Sequence, residues 1–140
     1  MAVYSGKIKF GTTGNTDIIE ITGLLSKAVK DSSIRNGLLN VFVPGATGAL
    51  TTIEYEPGLV ADLKAFFTRV LPETGIYNHN LTHPDSNGHS HIRASLIGPS
   101  ITIPVIDSKM NLGVWQQVIF IDFDNIPRDR ELVVQMVGEK

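Results

Sequence analysis

The chain has 140 residues, 42% of them hydrophobic, which is enough apolar material for one buried core and predicts a single domain over residues 1–140. Its formal net charge of -2, with acids and bases mixed along the chain, argues against nucleic acid and against an anionic membrane as partners. Cysteine is absent, which excludes a disulfide framework and a thiolate zinc site, and neither a leader nor an apolar run of spanning length is present, so a soluble cytoplasmic protein is expected.

From Val3 to Phe10 lysines alternate with Ile8 and Phe10, the period of a strand with one buried face. Gly11 to Asn15 reads as a turn and Thr16 to Ile21 as a second strand, together an N-terminal hairpin. Thr22 is the expected N-cap of a short helix carrying Leu24, Leu25, Ala28 and Val29. Gly37 to Val43 is apolar enough for a central strand covered on both faces, and Ala49 to Tyr55 resumes extended character. The clearest helix starts at Pro57, with Leu59, Val60, Leu63, Phe66, Phe67 and Val70 on one side, and is expected to pack on a sheet. After it come a polar loop and strands at His91 to Ile97, Ile101 to Ile106, Leu112 to Phe123 and Arg130 to Val137. Two helices among about eight strands predict an α+β fold with an antiparallel-rich sheet system, either a β-sandwich or an open barrel. Trp115, between Leu112, Val114 and Val118, reads as a core residue.

All four histidines, His79, His83, His89 and His91, lie in this polar loop and the strand after it. Imidazole is the commonest metal ligand, and Asp85 adds an oxygen donor. On a strand, His89 and His91 leave the same face roughly 6.5–7 Å apart, placed to converge on one ion while His79 approaches from the loop. The expected site is a divalent metal of unknown identity, zinc-like or magnesium/manganese, held by His79, Asp85, His89 and His91, with Glu54 completing the shell or orienting a bound water. A solvated histidine-rich loop without metal is the alternative. Arg128 and Arg130, flanking Asp129, are candidates for bidentate phosphate binding, whereas Gly45-Ala46-Thr47-Gly48 lacks the ending of a nucleotide-binding loop and reads as a structural turn.

Val41-Phe42-Val43-Pro44, Thr52-Ile53-Glu54, Tyr77-Asn78-His79, Asn87-Gly88-His89-Ser90-His91-Ile92-Arg93-Ala94-Ser95, Leu96-Ile97-Gly98-Pro99-Ser100 and Val114-Trp115-Gln116-Gln117 together resemble the YjbQ family, in order over nearly the whole chain. The resemblance implies a compact α+β subunit, a homotrimer, and a metal-associated pocket lined by the histidine segment and Glu54. His79, His91 and Glu54 match the family's recurring polar positions, Asp85 is its acidic loop residue, and Gly45 and Arg93 stand where many members have histidine and lysine. The label these proteins commonly carry, secondary thiamine-phosphate synthase, implies a transferase acting on a phosphorylated small molecule, with Glu54, Arg93 and Arg128 as catalytic residues. The competing expectation is a non-catalytic metabolite-binding protein with a structural metal.

Overall fold

The computed structural model describes residues 1–140. In chain order its elements are β1 (Ala2–Thr12), β2 (Asp17–Glu20), α1 (Thr22–Ser32), β3 (Asn36–Phe42), β4 (Gly48–Ile53), α2 (Pro57–Val70), α3 (Asn78–Thr82), α4 (Gly88–Ile97), β5 (Ser100–Ile106), β6 (Lys109–Met110), β7 (Gln117–Asp122) and β8 (Arg128–Glu139). The strands form two antiparallel sheets, a five-stranded one in the order β1-β8-β3-β5-β6 and a three-stranded one in the order β2-β7-β4. The class is α+β, as expected, with four helices where the sequence pattern predicts two.

The alternation in β1 works as predicted: Tyr4, Ile8 and Phe10 pack against the core while Val3, Lys7 and Lys9 face outward. Its pairing differs, because β1 runs beside β8 from Ala2↔Gly138 to Thr12↔Arg128 and β2 pairs with β7 in the other sheet. The expected hairpin is therefore a crossing between sheets, in which Gly14 takes a φ of 73° and Asn15 donates to the Asp124 carbonyl at 2.6 Å. Within β3, Leu39 and Val41 are buried, whereas Leu38 and Phe42 are 48% and 41% exposed, so this central strand is covered on one face only.

The strand buried on both sides is β7, where Val118, Ile119, Phe120 and Ile121 are all 0% exposed. Val118 and Phe120 join the main core with Leu39, Val41, Val134 and α1's Leu25 and Val29. Ile119 and Ile121 point the other way, into a second cluster closed by Phe67 of α2 and Ala94 of α4. Only Phe67 of α2 is fully buried, while Val60 and Leu63 pack partly buried against the same cluster and Phe66 and Val70 stay exposed.

Three expectations about the C-terminal half fail. The β7 strand begins at Gln117, not Leu112, because Gln116 accepts the Gly113 N–H at 3.0 Å and closes a turn. Trp115 sits on that turn 73% exposed and is not a core residue. The segment His91 to Ile97 is helix α4, where the short apolar run suggested a strand.

The end of β7 is polar and sealed. Asp122 is 0% exposed; its two oxygens accept from Arg130 Nε at 2.7 Å, Arg130 Nη2 at 2.8 Å and Thr12 Oγ1 at 2.6 Å. Burial alone would raise this carboxyl, but those donors outweigh it and hold the group below the usual carboxylate range. Arg130→Ala leaves the carboxylate buried without its counter-charge and is expected to cost about 3–5 kcal/mol in urea unfolding. A loss under about 1 kcal/mol, the size typical of an exposed pair, would show that water replaces the guanidinium there.

Candidate functional site

The residues between α2 and β5 form a two-helix cap beside β7. Tyr77 leads into α3, whose one and a half turns bring His79 and His83 to one side at i and i+4. The connecting loop is pinned by Asn125, whose Nδ2 donates to the carbonyls of Asp85 and Ser86 at 2.8 and 3.2 Å. At the start of α4, Gly88 donates its N–H to Asn80 Oδ1 at 2.9 Å, and a Cβ there would lie 2.6 Å from the Tyr77 Cβ. Only glycine lets the two short helices approach so closely.

Helical geometry separates the two histidines that a strand would have aligned. Positions i and i+2 on a helix point about 200° apart, so His91 faces outward and His89 faces the core. His89 is 2% exposed; Ser90 spends its proton on the Phe123 carbonyl, so the His89 Nε2–H donates to Ser90 Oγ at 3.3 Å and Nδ1 has no partner. Burial first, and the nearby Arg93 charge second, push this imidazole below its ordinary value, against weaker opposing pulls from Glu73 and Asp124.

The other three imidazoles gather at the surface. The His79 ring lies 4.4 Å from His83, stacked at 13°, and 4.7 Å from His91, edge-on at 63°. His79 and His91 border a cleft of about 560 Å³ lined also by Ile76, Tyr77, Asn78, Gly88 and Ile92. His91 also lines a smaller pocket of about 190 Å³ between α4 and the loop Gly45–Gly48. Behind His79 runs a buried hydrogen-bond chain: His79 Nε2 meets Asn87 Oδ1 at 3.1 Å, and Asn87 Nδ2 donates to Asp124 Oδ1 at 3.3 Å. Asp124 Oδ2 accepts from Arg128 Nε at 2.9 Å and Thr47 Oγ1 at 3.2 Å, and Arg130 Nη2 reaches the same Thr47 hydroxyl at 2.9 Å.

The expected metal set does not assemble. No three His, Asp or Glu side chains form a group that could hold an ion. His79 and His91 do come together, but His89 is buried away from them, Asp85 is exposed on the loop, and Glu54 is exposed at the end of β4 and lines neither cavity. The near-parallel rings of His79 and His83 keep their lone pairs in separate planes, which prevents both from bonding one ion at about 2.0–2.1 Å. The residues present do not fit the metal centre. Arg93, expected among the catalytic residues, is 5% exposed and spends its donors on the Leu71 carbonyl and Thr16 Oγ1, tying α4 to the end of α2 and the start of β2. Arg128 reaches solvent, but its guanidinium is committed to Asp124 at 2.7 Å.

Asn87, Thr47, Asp122 and Asp124 escape any reading that starts from the histidines. The signal available in the sequence is a pair of acids two residues apart, Asp122 and Asp124, at the end of an apolar run.

A family model described as "UPF0047 protein YjbQ-like" matches residues 6–139. A UPF0047 protein of Methanothermobacter thermautotrophicus is 37% identical over 99% of this chain and 95% of its own length. One from Methanocaldococcus jannaschii is 33% identical over 96% of this chain and 94% of its own. Among solved structures, a "YbjQ-like protein of unknown function" from Sulfolobus solfataricus superposes with a TM-score of 0.93 at 29% identity, covering 99% of each chain. A hypothetical protein from Aeropyrum pernix gives 0.91 at 32% identity, covering 97% of this chain and 99% of its own. None of these descriptions carries thiamine-phosphate synthase or transferase activity, and with no metal-holding group in the fold, the expected metal-associated enzyme of that kind and its metal-bearing alternative are both set aside.

The depressed His89 imidazole has a consequence for stability. Between its folded value and the ordinary value near 6.5, the unfolded chain binds more protons, so this residue's contribution is complete above that value and is lost as pH falls. The native protein is expected to lose stability more steeply than His89→Gln between about pH 7.5 and pH 5 in urea titrations. Parallel curves for the two would mean the ring is already solvated in the fold.

Proposed function

The chain belongs to the UPF0047 protein YjbQ-like family, and from that premise we propose that it binds a small organic phosphate in the cleft between α3 and α4. The observation that carries this reading is the meeting of His79 and His91 at the cleft wall, 4.7 Å apart, beside Gly88 at the first turn of α4. The His91 N–H and the partial positive charge of a helix N-terminus suit an anionic group. Ile76, Tyr77 and Ile92 supply apolar surface for an organic portion, and the cleft volume of about 560 Å³ fits a metabolite, not a polymer.

On the same reading the protein works as a homotrimer in the cytoplasm. The outer face of the five-stranded sheet carries a row of Val3, Val137, Leu38 and Pro104 and a second with Val133 and Phe42, separated by polar Ser5, Gln135, Asn40 and Thr102. Apolar rows of this extent on a sheet with no covering layer are typical of subunit contacts. Native mass spectrometry is expected to return three chains for the native protein and a monomer for the double substitution Leu38→Lys and Phe42→Lys. A monomer for the native chain at micromolar concentration would remove this part of the proposal.

Glycerol 2-phosphate, an organic phosphate that keeps free hydroxyl groups, is expected on titration into labelled protein to shift the resonances of His79, His91 and Gly88. Loss of one charge-assisted hydrogen bond in His91→Ala should weaken its binding by about tenfold or more. Equal binding of glycerol, or shifts confined to another face, would refute a phosphate site here.

A further inference from the structure

Two hydrogen bonds carry the constraint of a buried acid out to an imidazole on the cleft wall. Asp124 is 3% exposed, and although burial would raise its carboxyl, the Asn125 N–H, the Asn87 amide and the Arg128 guanidinium together keep it below the usual range. An ionised carboxylate only accepts hydrogen bonds. Asn87, 5% exposed, must therefore turn its Nδ2 toward Asp124, which it does at 3.3 Å, and its Oδ1 is left facing His79 Nε2 at 3.1 Å. Two acceptors cannot bond each other, so the proton of neutral His79 resides on Nε2. The Nδ1 of the same ring, which bonds to no protein group, then carries a bare lone pair on a side chain that lines the cleft.

We infer that Asn87 and Asp124 are positioning residues that hold His79 as the Nε2–H tautomer, making Nδ1 a hydrogen-bond acceptor that selects ligands presenting an O–H at that point. The inference rests on the anion-binding reading above and narrows it. Monohydrogen phosphate keeps a P–OH to donate, whereas sulfate, of the same shape and charge, has none. The site should prefer the first.

Asp124→Asn is the informative variant because it is isosteric and reverses the polarity of the chain. Arg128, through Nε and Nη2, and Thr47 donate to Oδ2, whereas Oδ1 faces the Asn125 N–H and Asn87; the fixed guanidinium charge outweighs the single backbone N–H, so the asparagine keeps its oxygen on the arginine side and turns its amide nitrogen toward Asn87. Asn87 must then flip, present Nδ2 to His79 Nε2, and drive the ring to the Nδ1–H form. Imidazole nitrogen shifts measured at about pH 8, above the ordinary range of the ring, report the tautomer directly. The native protein is expected to show Nε2–H and to bind inorganic phosphate about tenfold or more tighter than sulfate; Asp124→Asn is expected to show Nδ1–H and the opposite preference. An Nδ1–H ring in the native protein, or the same tautomer in both, overturns the inference. Should Asp124→Asn not fold, Asn87→Ala serves: loss of the anion preference supports the assignment and an unchanged preference refutes it. Equal binding of both anions by the native protein overturns the selectivity while leaving the cleft an anion site. Binding of neither overturns the anion reading and the selectivity with it, and an inverted tautomer in Asp124→Asn then still supports the positioning role.

Discussion

Taking a carboxylate out of water costs several kcal/mol unless its lone pairs find donors, and Asp122 and Asp124 impose that cost twice within three residues of chain. Much of the architecture supplies those donors. Arg130 and Arg128 come from the start of β8, Thr12 from the end of β1, Thr47 from the loop before β4 and Asn87 from the loop before α4. Four segments thus meet at the end of β7. The two sheets are joined there by charge and hydrogen bonds, as they are joined elsewhere by the apolar contacts of Phe120, Leu39 and Val134. The surface imidazoles inherit their order from this cluster, because Asn87 belongs to both.

The parts of the fold legible in the sequence are those where one signal dominates. Pro57 and the repeating apolar side of α2 leave no alternative, and the lysine alternation of β1 identifies a strand with one wet face. What was not legible is pairing: the turn-rich Gly11 to Asn15 suggests a hairpin, but β8, more than a hundred residues later, offers β1 an eleven-residue partner. The α4 segment misleads for another reason. Ser90-His91-Ile92-Arg93-Ala94 has no strong helical period, and only tertiary contacts, Ala94 against Ile119 and Arg93 against Phe67 and Phe123, decide for helix.

That one difference in secondary structure accounts for most of what changed at the site. On a strand His89 and His91 would have been partners; on α4 one becomes a buried ring with an unpaired Nδ1 and the other a cleft residue. The clustering of His79 with His91 survives because it depends on α3 folding back over Gly88. Arg93 shows the limit of reading charge from sequence: a guanidinium laid beside a pair of touching phenyl rings, donating to a helix C-terminal carbonyl, serves structure.

The central claim is that the buried carboxylates of β7 order the imidazole cap, and amide hydrogen exchange tests it most directly. Removing the Asp124 side chain, as Asp124→Ala, should raise exchange across residues 77–91 while the amides of β3, β7 and β8 keep their protection. Unchanged exchange in residues 77–91, or a loss spread evenly over both sheets, would contradict the account and leave the cap an independent unit.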